Sequence, residues 1–389
     1  MHLRNNKSLY LLGLLLTFVT GSPGTVMNAQ EKKTVFNKVL DLISAPSREL
    51  DPEAVYQRAP SWVFALSGDT RQFNISQRTD FTIMMQGPEG ESPRQASLTS
   101  SLKGIVNGSA GFQAGYGNLT LGWTQSLGKK NDLRQKTFFF DYLGAGYAAQ
   151  FQYFDYQRFM DYKMEVAQEG GDGYSIIEGK TEKPARLRSL IVDGFYSFNQ
   201  RAFAYSAAYK GDKVQRRSSG SFMAGAKLIQ GLVEMEPDEN IVVWSGGVGR
   251  QTTTQIAFGG GYSYNIVPYH RQPDPTTGKG LRNMTVNLTA IPMVTLFNQF
   301  SSTVFVYEGG SEYAEKKSYM NGNLMVNYVA RAGLIYSWDR YSVSASGSYD
   351  SYSYKGRTKI LFYGSSDDHI RTSGSFGRWS ATLRFSVRF

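Results

Sequence analysis

The last twelve residues, 378–389, alternate strictly between apolar and polar side chains. Successive side chains of an extended chain point to opposite faces, so this stretch predicts a strand with one apolar face and one polar face. The apolar face is Trp379, Ala381, Leu383, Phe385, Val387 and Phe389, and the polar face is Ser380, Thr382, Arg384, Ser386 and Arg388. The same two-residue period recurs most clearly in residues 256–266 and 341–349.

Strands of about ten residues with one apolar face satisfy all their backbone groups in lipid only when the sheet closes on itself. The sequence therefore predicts an all-β fold, a closed antiparallel transmembrane β-barrel of about twelve strands, within a range of ten to fourteen. An even number is required, and the ambiguous region 70–106 can add or remove a pair. Polar stretches at 160–184 and 232–252 are interpreted as loops. A first strand is predicted to begin at Trp62 and to continue across a bend at Gly68 and Asp69 through Phe73 and Ile75.

The other end of the chain predicts export. Arg4 and Lys7 precede an apolar run over residues 9–19, which is typical of a secretory signal peptide and too short to span a bilayer. We assign residues 1–29 to the signal, with cleavage after Ala29 and with Gly21 and Gly24 as alternatives. The absence of cysteine excludes a lipoprotein anchor and a disulfide framework.

Residues 30–60 are predicted to form a periplasmic N-terminal arm, and residues 61–389 the barrel. Apolar residues at helical spacing over 35–43 predict a short amphipathic helix in the arm. The arm is interpreted either as a plug in the barrel mouth or as a flexible leader.

The closing strand resembles the C-terminal assembly signal of bacterial outer-membrane β-barrels, in which a terminal Phe follows alternating apolar residues. The residues that carry this resemblance are Trp379, Leu383, Phe385, Val387 and Phe389. The resemblance implies the bacterial outer membrane as the location. It implies outer-membrane lipid, lipopolysaccharide and the barrel assembly machinery as partners.

A second resemblance covers about 62–389 and is clearest in 195–228. In that segment an aromatic hairpin with an Asn turn comes first. A Phe-x-Tyr strand, a basic bend and a Ser-x-Gly-Ser-Phe sequence follow it. Those parts are Asn199, Phe203, Tyr205, Arg216, Arg217, Ser218, Gly220, Ser221 and Phe222. The segment resembles an outer-membrane β-barrel family of the Bacteroidetes, domain of unknown function 4421. This resemblance implies a fold and a location and no activity. In this interpretation Phe203, Tyr205, Ala207 and Tyr209 form a lipid-facing row.

Charged residues on the predicted inner faces are the candidate functional residues. They are Lys227, Arg331, Arg384, Asp141, Asp193 and Asp350. Inward cations can attract anionic solutes, as basic constrictions do in pores. The alternative is that these charges pair across a filled interior.

The first functional hypothesis is a channel for small polar solutes, and the alternative is a non-conducting structural or accessory subunit of an envelope complex. An outer-membrane hydrolase or acyltransferase is a third hypothesis, for which residues 365–369 contain Ser, Asp and His. Consecutive residues point in different directions, so we expect no enzyme, no cofactor and no metal site. The formal charge of +10 suggests nucleic acid, but no recognisable motif accompanies it, so none is expected as a partner.

Overall fold

The computed structural model describes residues 50–389 except 88–89, 105, 128–133, 145, 169–173, 245–247, 275, 277–278, 308–312, 322–324 and 359–369. The chain divides into two units, Met1–Ala45 and Pro46–Phe389, and every described residue belongs to the second unit. The predicted signal peptide, the helix predicted at 35–43 and the segment 365–369 lie outside the described residues. No helix in the described part of the chain is long and apolar enough to span a bilayer.

Most of the described chain is strand. In chain order the strands are β1 Val55–Gln57, β2 Trp62–Gly87, β3 Gly90–Gly104, β4 Asn107–Tyr116, β5 Leu119–Ser126, β6 Arg134–Leu143, β7 Tyr147–Arg158, β8 Met160–Gln168, β9 Tyr174–Lys180, β10 Ala185–Ser197, β11 Lys213–Gln215, β12 Ser219–Glu234, β13 Val248–Arg271, β14 Arg282–Tyr307, β15 Tyr313–Asn321, β16 Met325–Trp338, β17 Tyr341–Thr358 and β18 Ile370–Arg388. A 3-10 turn covers Tyr205–Ala208, and a short helix, α1, covers Asn240–Trp244.

Twelve strands form a closed antiparallel ring in the order β18, β17, β16, β14, β13, β12, β10, β7, β6, β5, β4, β2. Residues 63–80 of β2 pair with residues 388–371 of β18, which closes the sheet. The predicted closed barrel of about twelve strands is confirmed. We call the end of the barrel that carries Trp62 and Phe389 the terminal end, and the opposite end the far end.

The alternation of side chains sorts the two faces of the wall. In β18, Leu383 and Phe385 are exposed on the outer surface, whereas Arg378 and Ser386 are buried inside. Outward-facing apolar residues of other strands, such as Leu66, Phe222 and Leu288, are also exposed on the outer surface. Exposed apolar side chains on the outer faces of several strands suit lipid rather than water.

The wall changes toward the far end, where β3 pairs with both β2 and β8, and β8 pairs with β9. This extension lies beyond the short strands β4 and β5. The stretch 160–184, predicted to be a loop, therefore contains two strands. The interpretation of 232–252 as a loop is too wide, because β12 continues to Glu234 and β13 begins at Val248.

Strand β2 runs without the bend that Gly68 and Asp69 suggested in the sequence. Consequently Phe73 and Ile75 share a face with Asp69 and are buried in the interior. They join an apolar cluster with Phe154, Tyr156, Ile191, Ile229 and Tyr352. The far half of the barrel interior is thus apolar, which a polar-inside pattern does not anticipate.

The last residue takes part in the closing seam. The Phe389 amide donates a hydrogen bond of 2.9 Å to the Trp62 carbonyl, and the Phe389 ring meets Phe64 edge-on at 6.0 Å. Deleting Phe389 is expected to lower the heat-modifiable, folded fraction, because the seam loses its last hydrogen bond and an aromatic contact. Phe389→Tyr keeps both and serves as the control. Equal folding of the deletion and the control on unheated gels would contradict this role.

Candidate functional site

The connection between β10 and β12 folds into the barrel interior. Residues 199–218, which we call the plug segment, include Phe203, Tyr205, Ala207 and Ala208, all at most 3% exposed. Gly211 adopts φ +69°, a left-handed conformation that glycine enters at little cost, and this turn directs the chain back toward β11. The row predicted to face lipid at Phe203, Tyr205, Ala207 and Tyr209 is therefore wrong. These side chains pack inside because the segment forms a 3-10 turn rather than a strand.

Side chains of the plug segment reach opposite walls. The Tyr209 hydroxyl donates a 2.9 Å hydrogen bond to Asn287 Oδ1 on β14, and Lys210 Nζ donates a 2.6 Å bond to the Leu119 carbonyl on β5. Strands β14 and β5 lie six positions apart in the ring of twelve, so they face each other across the lumen. A Cβ on Gly333 would lie 2.7 Å from the Tyr209 ring, which indicates how closely the plug segment approaches the wall.

One buried side chain organises the plug segment. Gln215 is fully buried, and its Oε1 accepts hydrogen bonds from the Ala204 amide and from Asn265 Nδ2, each at 3.1 Å. Its Nε2 donates to the carbonyls of Ala202, Ala54 and Arg217 at 2.6, 3.3 and 3.1 Å. Through β11 the plug segment also pairs with β1, so the residues that precede the barrel help to fill its mouth.

Five charged side chains form an ionic belt across the middle of the lumen: Asp193, Lys227, Arg331, Asp350 and Arg378. Lys227 Nζ lies 3.1 Å from Asp193 Oδ1 and 2.6 Å from Asp350 Oδ1. Arg331 Nη2 lies 2.6 Å from Asp193 Oδ2, and Arg378 Nε donates to Asp350 Oδ2 at 3.2 Å. Every member is at most 8% exposed at its side chain.

The belt spans the lumen rather than following one wall. Asp350 and Lys227 belong to β17 and β12, which are four positions apart in the ring, as are the strands of Arg331 and Asp193. Aromatic rings make cation–π contacts with two of the cations. Arg331 Cζ lies 4.7 Å from the centroid of the Phe195 ring, and Arg378 Cζ lies 5.0 Å from the centroid of the Phe154 ring. Because buried ions must be paired to remain charged, the belt holds the two walls together.

A polar chamber of about 140 Å³ lies between the belt and the plug segment. Serines, threonines and glutamines line much of it, with the charged side chains Asp69, Arg71, Asp141, Lys210, Arg331, Arg378 and Arg384. Arg384 donates to Gln113 Oε1 and Ser344 Oγ, each at 3.1 Å, and Gln150 donates to Asp141 Oδ1 at 3.3 Å. A separate cavity of about 60 Å³ on the far side is lined mainly by Phe73, Ile75, Leu187, Phe300 and Phe376.

The six charged residues selected from the sequence all lie inside the barrel. Lys227, Arg331, Asp193 and Asp350 meet in the belt, while Arg384 and Asp141 line the chamber. Their functional roles stay predictions. Sequence reasoning missed Arg378, although it shares the inward parity of Arg384, and it missed Asp69 and Arg71 because a bend was expected there. Lys210 could not be found from strand alternation, since it lies in the plug segment.

Within the described residues, no group of three His, Cys, Asp or Glu side chains is arranged to hold a metal ion. His270 is accompanied by Asn283, whose Nδ2 lies 3.3 Å from His270 Nδ1.

Comparison with solved structures finds outer-membrane proteins of low similarity. The outer-membrane protease OmpT from Escherichia coli is 8% identical, with 84% of this chain and 97% of that chain covered and a TM-score of 0.41. A Pseudomonas aeruginosa FadL homologue is 8% identical, with 85% and 90% covered and a TM-score of 0.22. Pseudomonas aeruginosa OccK9 (OpdG) is 8% identical, with 84% and 98% covered and a TM-score of 0.16.

Sequence comparison gives a family. No curated protein matches this chain. The family described as Domain of unknown function (DUF4421) matches residues 69–366, which include the segment 195–228 that carried the resemblance. The predicted membership is confirmed: the chain belongs to the DUF4421 family.

Proposed function

We propose that this protein is an integral outer-membrane barrel whose lumen is closed at rest and whose role is non-enzymatic. The membrane location is supported by the exposed apolar rows and by aromatic residues near the terminal end. The ring centroids of Trp62 and Tyr116 are 5.3 Å apart, and those of the stacked rings of Trp338 and Tyr341 are 5.8 Å apart. Such residues form girdles at the two interfaces of membrane barrels.

The connections indicate an orientation. At the terminal end β4 and β5 are joined by Gly117 and Asn118, and β16 and β17 by Asp339 and Arg340. Outer-membrane barrels place such short turns on the periplasmic side. The terminal end, with the plug segment and β1, would therefore face the periplasm.

The ionic belt is the observation that carries the closed state. Its ion pairs cross the lumen, the plug segment fills the terminal side, and aromatic side chains fill the far side. Opening this interior would separate buried opposite charges, which is costly. We therefore favour the non-conducting structural or accessory role over the channel that the sequence placed first.

Planar bilayers test this proposal directly. The purified wild-type barrel is expected to give no sustained current at either polarity, because the belt crosses the lumen and the plug segment packs inside its terminal side. Gln215→Ala, which loosens the plug segment, is the comparison. Steady single-channel conductance of the wild type would refute the closed state.

A gated channel for small polar solutes is the second candidate. It is favoured by the polar chamber and by the attachment of the plug segment, whose ends at β10 and β12 lie on neighbouring strands at the terminal end. Movement of the plug segment would open the chamber on that side. Voltage-independent openings in a variant with residues 203–211 replaced by a short glycine linker would support this role.

An accessory role requires a partner in the envelope. Segment 50–58 lies directly before the barrel and pairs with the plug segment through β1 and β11, so a protein that binds the preceding residues could act on the plug. Purification in mild detergent, with and without residues 30–49, tests whether a partner depends on this arm. We also propose that this barrel contacts outer-membrane lipid and lipopolysaccharide, and that the barrel assembly machinery inserts it.

A further inference from the structure

We infer that the polar chamber is a binding site for a small polyatomic anion bearing phosphate or carboxylate oxygens. The chamber lies between the belt and the plug segment, and its volume is about 140 Å³. This is close to the volume of about 150 Å³ of an engineered protein cavity that binds benzene. A free phosphate or a short carboxylate fits within this space.

Charge balance is the first argument. The belt contributes three cations and two carboxylates, and the chamber adds Arg71, Lys210 and Arg384 with Asp69 and Asp141. Among these described residues six cations face four carboxylates. The buried pair of Lys213 and Asp212 in the plug segment adds one charge of each sign, so the excess is two positive charges. Uncompensated charge is expensive inside a protein, so a bound anion would stabilise this interior.

The second argument is that the excess is located in the chamber. Arg71 pairs with Asp69 at 2.8 Å, but no carboxylate oxygen of the described chain lies within 4.0 Å of the Lys210 ammonium or the Arg384 guanidinium. Lys210, only 5% exposed, donates to the Leu119 carbonyl, and Arg384 donates to neutral oxygens of Gln113 and Ser344. Each cation therefore retains N–H donors for a further acceptor, since an ammonium has three and a guanidinium five.

Neutral donors complete the site. Thr120, Thr124, Ser346 and Ser348 line the same chamber, and Thr124 Oγ1 is buried without a hydrogen-bond partner. Two carboxylates of the chamber oppose an anion: Asp69, which is paired with Arg71 at 2.8 Å, and Asp141, to which Gln150 donates at 3.3 Å. Arginine together with hydroxyl donors is an arrangement suited to oxyanions, whose several oxygens accept charge-assisted hydrogen bonds.

The inference rests on the closed state of the proposed function, because an open lumen would leave these cations in bulk water. The two proposals fail separately. Conductance of the wild type would refute closure, whereas anion binding is measured by calorimetry on the detergent-solubilised protein and does not depend on conductance.

Titration calorimetry and thermal unfolding of the full folded chain test the site with inorganic phosphate, sulfate and acetate. Wild type is expected to bind at least one of them and to unfold at a higher temperature when it is present. Arg384→Gln and Lys210→Met are each expected to weaken binding by about tenfold, the equivalent of one lost charge-assisted bond. Arg340→Gln removes the same charge at the exposed turn between β16 and β17 and should bind as wild type does.

Several results would overturn the site. The first is that the wild type binds none of the three anions. The second is that Arg384→Gln and Lys210→Met bind with the same affinity as Arg340→Gln. Arg384→Lys, which keeps the charge and loses the fork of donors, covers the case in which Arg384→Gln does not fold. A short-chain phosphatidic acid tests a lipid source of the phosphate: binding of this lipid without binding of inorganic phosphate would refute an enclosed solute site.

Discussion

Replacing Asp350 by asparagine is expected to destabilise the folded barrel by about 3–5 kcal/mol, the usual cost of removing one partner from a buried ion pair. Asp350 is fully buried and lies between Lys227 and Arg378. Its neutralisation leaves three belt cations facing Asp193 alone. Urea unfolding of the protein refolded in detergent, followed by tryptophan fluorescence, measures the change in the free energy of unfolding.

Two further variants make this prediction specific to charge balance. Lys227→Met leaves Arg331 with Asp193 and Arg378 with Asp350, so it should destabilise the barrel clearly less than Asp350→Asn. The matched control is Asp238→Asn, which removes an exposed carboxylate paired with Lys183 and should change stability by less than about 1 kcal/mol. If Asp350→Asn behaved like this control, the belt would contribute little to stability.

Replacing Gln215 by alanine should release the plug segment while the twelve-strand wall stays folded. The substitution leaves the Ala204 amide and the Ala202 carbonyl without a hydrogen-bond partner inside the barrel. It also removes one of the two bonds that Asn265 Nδ2 donates, and the bond to the Ala204 carbonyl remains. Unsatisfied buried groups cost about 1–3 kcal/mol each. We therefore expect the free energy of local opening to fall by about 3 kcal/mol, or roughly 100-fold in the exchange rate of the protected amides.

Hydrogen exchange distinguishes this local release from general unfolding. The amides of Phe203 and Ala207, which are bonded to the Asn199 and Ala204 carbonyls, report on the plug segment. Amides of β17, such as that of Ala345, report on the wall. Gln200→Ala, a half-buried glutamine in the same segment, is the control. Equal acceleration in wall and plug segment would show that the plug has no stability of its own.

The wall could be predicted from the sequence because apolar and polar residues alternate with a period of two. Strands with this pattern can satisfy their backbone hydrogen bonds in lipid only as a closed barrel. Along β17, Tyr341, Val343 and Ala345 alternate with Ser342 and Ser344, and this pattern fixes both the strand and the direction of its faces. Closure follows from the need to pair every edge, and the approximate strand number follows from counting the alternating segments. Strands β8 and β9 were missed because they extend beyond the main wall. In β8 the apolar residues Met160, Tyr162 and Met164 point inward and polar residues point outward, which is the reverse of the pattern expected in lipid.

The interior could be predicted only in part. The charged residues of β10, β12, β16 and β17 were found because a charge on a strand in lipid must point inward. The plug residue Tyr205 was misplaced for the opposite reason: an apolar side chain suits both lipid and a filled lumen. Partners across the barrel, such as Arg331 and Asp193, are 138 residues apart in the chain, so their pairing depends on the ring order rather than on local pattern.

The attachment of the plug segment limits how the interior can be opened. Both ends of the segment leave the wall at the same end, from β10 and β12, and the β1 strand that pairs with it starts there too. A force applied from that compartment acts on the segment directly through β1, whereas the far end is connected to it only along the full length of the wall strands β10 and β12. Any mechanical control of this lumen is therefore one-sided, and in the proposed orientation it belongs to the periplasm and not to the exterior of the cell.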